Sequence, residues 1–249
     1  MKHTCKYLFI AILAASFAVT APAQEVYSLN IVGFQKMAVQ ENLQIHSNPF
    51  EAMTIRELVG NSGVHGTSES VADNVVLYDA QNQEYLTYYL RSHSSIGYPE
   101  WRRLTTWATN VYIQPGQSFF YRSRLAQVRT NVAAGDVVLA TAVTNTIRPG
   151  LQLISYPFTA RVKISDMNLK NGVHGTSESV ADNLIIYDTE LQDYVTYYLR
   201  SHSSIGHPEW RRLTTWATNV YVEPGQGFFF RSRTPTTYLW VEQSPYPDL

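Results

Sequence analysis

The sequence contains two copies of one unit. Of the 64 residues from 61 to 124, 49 recur in the same order and without a gap from 170 to 233. A weaker match extends the repeat to residues 29–50 and 137–158. We therefore predict two tandem homologous units of about 109 residues, 24–133 and 134–249, with a pseudo-two-fold relation. No Gly/Ser-rich or Pro-rich linker separates them, so we expect the units to pack closely.

The first 23 residues have the three parts of a secretory signal peptide. Lys2 and Lys6 supply positive charge, an apolar run covers residues 7–19, and Ala21-Pro22-Ala23 resembles a cleavage site. The run is shorter than the roughly 20 residues that span a bilayer, although an uncleaved anchor is the alternative. We predict a secreted or periplasmic protein with no membrane span after cleavage. Cys5 lies in this segment, so the mature chain has no cysteine for a disulfide, thiol catalysis or a cysteine zinc site.

Charge and composition narrow the class of partner and of fold. Without Lys2 and Lys6 the 19 basic residues become 17, against 20 acidic residues, which gives a net charge of −3. A nucleic-acid or anionic-membrane partner normally requires a basic excess, so we expect neither. Aromatic residues make up 13% of the chain, including 17 tyrosines, and this composition favours strands.

The hydrophobic pattern within one unit mostly has a period of two. Residues 74–79 and 84–91 are predicted to form a hairpin, with Leu86, Tyr88 and Leu90 facing the core and residues 85, 87, 89 and 91 facing outward. Gln114 to Gln117 matches a type II turn. Only residues 54–59 and 164–169 favour a helix. We predict an all-β fold of two sandwich-like or barrel-like units, each with six or seven short strands.

The two copies differ in an unexpected place. Predicted strand interiors differ, whereas residues 91–110 and 200–219, which we interpret as a loop, differ only at Tyr98/His207. Loops normally vary faster than the elements that they connect. The identical segments are therefore the predicted functional sites. The buried pair Tyr121/Phe230 loses its hydroxyl, which indicates that no essential hydrogen bond is made there.

A recurring order of short motifs resembles a group of uncharacterised exported β-rich proteins of the kind found in Verrucomicrobia and related bacteria. The motifs are segments 27–34, 43–50 and 115–120, together with Tyr78-Asp79 followed by Gln83, Tyr85 and a later Trp. They span nearly the whole mature chain. The resemblance implies export and a β-fold. It brings no activity, cofactor or catalytic residue, and the segment 92–110 is longer here than in that group.

Tryptophan, arginine and histidine side chains cluster in the identical segments. Trp and Tyr offer flat apolar faces to sugar rings, while Arg and His bond hydroxyls or carboxylates. Two such sites on one body would bind a glycan or surface polymer with avidity. The candidate ligand-binding residues of the first copy are Tyr89, Arg91, His93, Trp101, Arg102, Arg103 and Trp107. Their counterparts are Tyr198, Arg200, His202, Trp210, Arg211, Arg212 and Trp216.

Several alternatives remain open at this stage. The tryptophans could belong to the core, gene conversion could have preserved the segments, or the segments could form a self-complementary contact between units or molecules of a structural envelope protein. The spacing of His65, Glu69, Asp73 and His93 matches no metal motif, and we expect neither metal nor cofactor. A hydrolase is a second alternative. No G-x-S-x-G elbow is present, and Glu100 and its counterpart Glu209 are the only suggestive carboxylates, so we expect no catalysis.

Overall fold

The computed structural model describes residues 31–79, 81–188, 191–204 and 206–246, so the predicted signal peptide lies outside the described residues. Within them, alternating aromatic and β-branched residues form strands in both copies, as the sequence pattern predicts. The first copy contains β1 Val32–Val39, β2 Asn42–Ser47, β3 Met53–Thr54, α1 Ile55–Val59, β4 Asn74–Asp79, β5 Glu84–His93, β6 Tyr98–Arg103, β7 Thr106–Trp107, β8 Tyr112–Ile113, β9 Ser118–Ser123 and β10 Arg129–Asp136.

The second copy repeats this order of strands. Its elements are β11 Ala142–Ile147, β12 Gly150–Ser155, β13 Val162–Lys163, β14 Asn183–Asp188, β15 Asp193–His202, β16 His207–Arg212, β17 Thr215–Trp216, β18 Tyr221–Val222, β19 Gly227–Ser232 and β20 Tyr238–Gln243. The predicted all-β fold with two similar units is confirmed. Each copy has more strands than predicted, because two-residue strands add to the longer ones.

Each copy is built around one antiparallel six-stranded sheet. The strand order is β2-β9-β4-β5-β6-β7 in the first sheet and β12-β19-β14-β15-β16-β17 in the second. Two-stranded pairs complete each copy, β1-β10 with β3-β8 in the first and β11-β20 with β13-β18 in the second. The first core contains residues from the inner side of the six-stranded sheet, from the β1-β10 pair and from α1. We call the opposite side of each six-stranded sheet the outward face.

The hairpin pattern is correct in detail. β4 pairs with β5 so that Leu77 lies opposite Leu86, and Tyr88 and Leu90 are buried on the core side as predicted. The predicted turn at Gln114 to Gln117 is also present. Gly116 has φ +77°, and the N–H of Gln117 donates to the carbonyl of Gln114 at 3.0 Å, as a type II turn requires.

The segment interpreted as a loop consists mainly of strands, so that prediction is wrong. β5 continues to His93, β6 returns along it, and β7 adds the outermost strand of the sheet. Pro99 and Gly97 obscured the pattern, since both residues are typical of turns. Pro99 is tolerated in β6 because the next strand, β7, pairs only with Arg102 and Arg103. The segment that the two copies share is therefore one edge of a sheet.

Only one of the two predicted helices forms. In α1, the side chain of Thr54 accepts a hydrogen bond from the N–H of Glu57, and the Glu57 carboxylate accepts from the N–H of Thr54. This capping box satisfies free N–H groups at the start of the helix. The second copy has Lys163 and Asp166 at these positions, and a lysine ammonium cannot accept a hydrogen bond. Residues 164–170 accordingly form turns and bends.

The two copies meet through equivalent residues, as a pseudo-two-fold axis requires. The N–H of Ser47 donates to the carbonyl of Gly225 at 3.0 Å, and the N–H of Ser155 donates to that of Gly116 at 2.9 Å. Phe120 contacts its own counterpart Phe229, with ring centroids 6.0 Å apart. These contacts involve the Pro-Gly turns and the β9 and β19 strands. The tryptophan-bearing edges do not contribute to them among the described residues.

The predicted boundary at residues 133–134 lies inside β10, which pairs with β1 along its full length. The first copy thus closes on itself before the chain enters the second. The described residues of both copies belong to one compact unit.

Candidate binding face

A straight row of six side chains crosses the outward face of each six-stranded sheet. Residues directly opposite each other on neighbouring strands lie side by side on one face. From β2 to β7 the row reads Leu43, Arg122, Asn74, Tyr89, Arg102 and Trp107. In the second sheet it reads Leu151, Arg231, Asn183, Tyr198, Arg211 and Trp216. All six residue types are the same in both sheets.

The interior of the protein has changed more than this row. Core positions that differ between the copies include Val75/Leu184, Leu77/Ile186, Leu86/Val195, Ile113/Val222 and Tyr121/Phe230. Asn74 and Tyr89 of this row are buried, as are Asn183 and Tyr198, so packing restrains those positions. The other four positions of each row are exposed or half-buried, and substitutions at solvated positions usually change stability by less than about 0.5 kcal/mol. The identity of these four positions therefore points to a requirement other than stability.

At the outer end of the row, Trp107 forms a fixed cluster with a histidine and an arginine. The imidazole of His93 stacks on the indole at 3.9 Å with an interplanar angle of 23°, and the guanidinium of Arg102 lies 5.2 Å from the ring centroid. Arg102 Nε also donates to the carbonyl of Leu104 at 2.9 Å. The second copy repeats the stack, with 4.0 Å between His202 and Trp216. The cluster is therefore preorganised, because the indole of Trp107 already packs against His93 and Arg102.

The hairpin tip beside this cluster is strained. Leu104 has φ +52° and is 70% exposed, and Leu213 has φ +50° and is 73% exposed. The left-handed conformation costs an ordinary residue roughly 1–2 kcal/mol. The same conformation recurs at Gln83 and Gln192 in the other hairpin of each copy, so it is a property of these turns, and only the exposure of the two leucines places them beside the candidate face. The identity of this segment in the two copies can be read from the sequence, but the left-handed backbone conformation of the two leucines cannot.

The structure brings together five of the seven residues predicted in each copy. Tyr89, Arg91, His93, Arg102 and Trp107 share the outward face, since they occupy alternate positions on β5 and opposed positions on β6 and β7. In the second copy the same holds for Tyr198, Arg200, His202, Arg211 and Trp216. Tyr89 is only 6% exposed and Tyr198 only 5% exposed, so the prediction of these two tyrosines as ligand contacts is wrong.

The other two predicted residues lie on the opposite side of the sheet. Trp101 is 1% exposed and Trp210 is 0% exposed, and both belong to the hydrophobic cores, so their prediction as ligand contacts is wrong. Leu90 lies directly opposite Trp101 across the strands and faces the core, which forces the indole inward. Arg103 shares that side and lies 3.9 Å from Glu84. Arg212 is at the equivalent position, so neither arginine joins the outward cluster.

The suggestive carboxylate Glu100 has a structural role. It is buried, its Oε1 accepts a hydrogen bond from the N–H of Trp101 at 2.8 Å, and its Oε2 lies 3.5 Å from Arg56 Nη1. Glu209 repeats the backbone contact and pairs with Lys170 at 3.4 Å. A glycosidase needs two carboxylates facing each other across a substrate cleft. Glu100 instead holds α1 against the sheet.

The sequence reading missed an aromatic strip that runs from one copy to the other. Tyr78 and Tyr85 pack at 5.1 Å, Tyr85 and Phe120 at 6.2 Å, and Phe120 meets Phe229 at the pseudo-two-fold axis. The second copy continues the strip through Tyr194, 5.9 Å from Phe229, and Tyr187, 5.2 Å from Tyr194. Tyr85 is 57% exposed and Tyr194 is 46% exposed.

The contact at the axis shows how the two outward faces are arranged. Neighbouring strands lie 4.7–4.9 Å apart, so in one continuous sheet Phe120 and Phe229 would be separated by about 14 Å across the two edge strands. Their 6.0 Å separation means that the faces turn toward each other at this point. The strip therefore continues from the outward face of one copy to that of the other. The alternation of residues along β5 predicts that Tyr85 faces outward. No local sequence pattern predicts that the outward face of one copy contacts that of the other.

An open groove of about 680 Å³ lies beside the strip in the first copy. Tyr85, Thr87 and Phe120 form its apolar part, and Asn74 and Arg122 connect it to the cross-strand row. The complete lining is Leu43, Glu69, Ser70, Asn74, Val76, Tyr85, Thr87, Phe120, Arg122 and Arg124. Nine of these ten residue types recur in the second copy, where Ile185 replaces Val76. The residue types that line the groove, like those of the row, are therefore nearly all present in the second copy.

A buried amide faces this groove without a complete set of partners. Asn74 is 4% exposed, and its Nδ2 donates to the carbonyl of Glu69 at 3.0 Å, but its Oδ1 has no partner among the residues that the structure describes. Asn183 is 2% exposed, and its Nδ2 is likewise unpartnered. An unsatisfied buried polar group costs about 1–3 kcal/mol. Both copies carry this cost at the same place.

Buried carboxylates show where the copies have diverged. Asp73 Oδ2 accepts hydrogen bonds from Tyr121 at 2.8 Å and from Arg129 at 2.7 Å, and Arg129 also donates to the Tyr121 hydroxyl. The inference that Tyr121 makes no important hydrogen bond is therefore wrong for the first copy. In the second copy Phe230 and Tyr238 replace these partners. Asp182 Oδ2 is left unpaired, and burial raises its pKa.

Chemistry other than binding finds little support in the described geometry. Ser92 Oγ lies 2.9 Å from His65 Nδ1, and Ser201 Oγ lies 2.7 Å from His174 Nδ1, all on exposed side chains. A Ser–His hydrolase needs a third group to orient the base, and no carboxylate bonds either imidazole among the residues described. Within the same residues, no group of three or more His, Cys, Asp or Glu side chains could hold a metal ion. No helix there is long and apolar enough to cross a bilayer.

Comparisons with protein-family models, with curated proteins and with solved structures found no match for this chain.

Proposed function

We propose that this chain is a secreted or periplasmic, non-catalytic protein that binds a glycan or surface polymer through its two outward faces. The observation that carries the proposal is the identity of the cross-strand rows between two copies whose cores have changed. The four solvated positions of each row would have no physical reason to stay constant if they only met solvent. The aromatic strip supports the proposal, because exposed tyrosine rings offer apolar faces to sugar rings.

The duplication suits an extended ligand. Two equivalent faces on one rigid body raise the effective concentration for the second contact, so a long polymer binds more tightly than a short fragment. The fixed stack of Trp107 with His93 and Arg102 favours binding, since little side-chain entropy remains to be lost. The buried Trp101 and Trp210 contribute only by holding β6 and β16 in place.

The decisive experiment replaces two exposed rings and measures polymer binding. Tyr85→Ala combined with Tyr194→Ala should abolish retention in native affinity gels that contain polysaccharides. The thermal midpoint of unfolding should fall only slightly, because each lost cross-strand ring pair contributes about 0.2–1 kcal/mol. Tyr112→Ala is the matched control, because this tyrosine is 51% exposed and lies on the short strand β8. Retention of the double variant equal to that of the control would refute the proposal.

The same measurements test a structural role. An envelope protein that assembles through its tryptophan-bearing edges should sediment as ordered oligomers in the absence of any polysaccharide, and Leu104→Asp should disperse them. A monomer that binds polymer supports the proposed function. Oligomers that bind none would replace it with the structural role.

A further inference from the structure

We propose that each groove recognises a carboxylate-bearing sugar, so that the ligand is an acidic polysaccharide built from uronate units. This inference rests on the proposed function and names the chemistry of its ligand. Arg122 would bind the carboxylate, the amide of Asn74 would bind a ring hydroxyl, and Tyr85 would pack on the apolar side of the ring. The second copy would use Arg231, Asn183 and Tyr194 in the same roles.

Arg122 brings a positive charge to the groove lining. Its guanidinium forms no ion pair or hydrogen bond among the described residues, and the same is true of Arg231, whereas Arg129, Arg161 and Arg56 each meet a carboxylate. An arginine fork matches a carboxylate through two parallel hydrogen bonds. A free guanidinium inside a lined groove is therefore a ready receptor for one negative charge.

The other charged groups of the groove set the expected charge density of the ligand. Arg124 is held by its own chain, because Nε donates to the carbonyl of Ala72 and Nη2 to that of Glu69. The exposed Glu69 side chain adds one negative charge to the lining. The lining thus holds two arginines and one glutamate, a net charge of +1, which suits a ligand with a single negative charge per sugar. Densely sulfated or phosphorylated polymers require a larger basic excess, and this chain has a net charge of −1.

The unpartnered amide lies beside this arginine. Asn74 is directly opposite Arg122 across β4 and β9, so both groups serve the same position in the groove. A sugar hydroxyl both donates and accepts, so it has the chemistry to satisfy the Oδ1 of Asn74 as well as the Nδ2 of Asn183, but both atoms are shielded from solvent and can be reached only if the groove lining moves. The amide of Asn74 and the guanidinium of Arg122 would then bind two neighbouring substituents of one sugar ring.

The pseudo-two-fold axis fixes the stoichiometry. A two-fold rotation reverses direction, and a polysaccharide chain has a direction, so one straight chain cannot present the same orientation to both grooves. Short oligomers should therefore bind independently, with two molecules per protein chain. Longer polymers should engage the grooves with two separate stretches.

The test uses titration calorimetry of the mature protein with oligogalacturonate and with its methyl ester, which keeps the sugar backbone and removes the charge; oligoalginate and a neutral β-glucan complete the panel. We expect two acidic oligomers per chain, weaker binding in high salt, and at least about tenfold weaker binding of the ester. Arg122→Gln with Arg231→Gln should reduce the affinity for the acid to that for the ester. Glu69→Gln with Glu178→Gln should strengthen acid binding, an effect that a merely structural role would not produce.

The outcomes separate the two proposals. Equal affinity for acid and ester, binding of the neutral glucan alone, or unchanged acid binding by the arginine variant would overturn the acidic-ligand inference and leave the binding function standing. Preference for a sulfated or phosphorylated polymer would also overturn it. Absence of binding to every polysaccharide would remove both. Unchanged thermal midpoints for the glutamine variants exclude loss of the fold as the cause.

Discussion

His46 provides an acid-sensitive position beside the junction of the two copies. It lies on β2 opposite Phe119, with ring centroids 6.0 Å apart, and its Nε2 is buried without a partner. Burial lowers the pKa of His46 from 6.5 to about 4. The neighbouring Ser47 forms one of the two backbone bonds between the copies. The second copy has Ile154 at the equivalent position, which supplies a natural substitution.

The loss of folding stability that His46 causes at low pH follows from the linkage between protonation and folding. Above pH 6.5 the imidazole is neutral in both the folded and the unfolded chain, so it adds no pH dependence. Below pH 6.5 the unfolded chain takes up a proton that the folded chain resists, and stability falls as the pH drops toward about 4. At about 1.4 kcal/mol per pH unit, the total loss approaches 3 kcal/mol.

Urea unfolding at several pH values between 7 and 4.5 measures this loss, with native protein, His46→Ile and His46→Gln compared. Carboxylates titrate in all three proteins, so their contributions cancel in the differences. Each variant should gain about 2–3 kcal/mol relative to the native protein between pH 7 and pH 4.5. His46→Gln keeps a polar group without titration and separates charge from polarity. Differences that stay constant over this pH range would refute the reasoning.

Three further substitutions test the packing and the divergence of the copies, each by urea unfolding. Trp101→Ala should cost about 3–5 kcal/mol because it empties a core site, whereas Trp107→Ala should cost roughly 1 kcal/mol or less. Asp182→Asn should stabilise the protein above pH 3.8, because the buried charge then disappears, and the gain should vanish at lower pH. Asp73→Asn in the first copy should instead destabilise the protein, because Asp73 is paired with Arg129. Gly227→Ser should cost about 1–3 kcal/mol, because a Cβ there would lie 2.7 Å from Ser118 Oγ; equal stability would contradict the close approach.

Local pattern was sufficient for much of the fold. Alternation placed Leu90 in the core, and the Pro-Gly pair identified the turn at Gly116, because both signals depend only on neighbouring residues. The helix expected at residues 164–169 failed on capping, since Lys163 cannot replace the acceptor of Thr54. The strand β6 was missed because Gly97 and Pro99 suggest a turn. Pairing with β5 outweighs that local preference.

Which residues belong to the candidate site depends on the register in which β6 pairs with β5, and the sequence did not reveal that register. Trp101 and Arg102 are neighbours in the chain, and a shift of one residue would exchange their faces. Only the pairing of Leu90 with Trp101 decides that the tryptophan is core and the arginine is outward. To predict the aromatic strip, one would also need to know how the two copies contact each other. Composition identified the relevant segment, and long-range pairing determined which of its residues can meet a ligand.

The divergence between the copies separates positions that need identity from positions that need only compatibility. Ser118 and Gly227 are counterparts that meet near the axis, and two serines there would crowd each other, so the pair differs. Core pairs differ because packing requires only a matched total volume. A ligand that contacts both copies in the same way imposes a stricter condition, since each side chain must keep its own hydrogen-bonding groups. Arg122 and Asn74 meet that condition without change, and they form few stabilising contacts that would otherwise explain it.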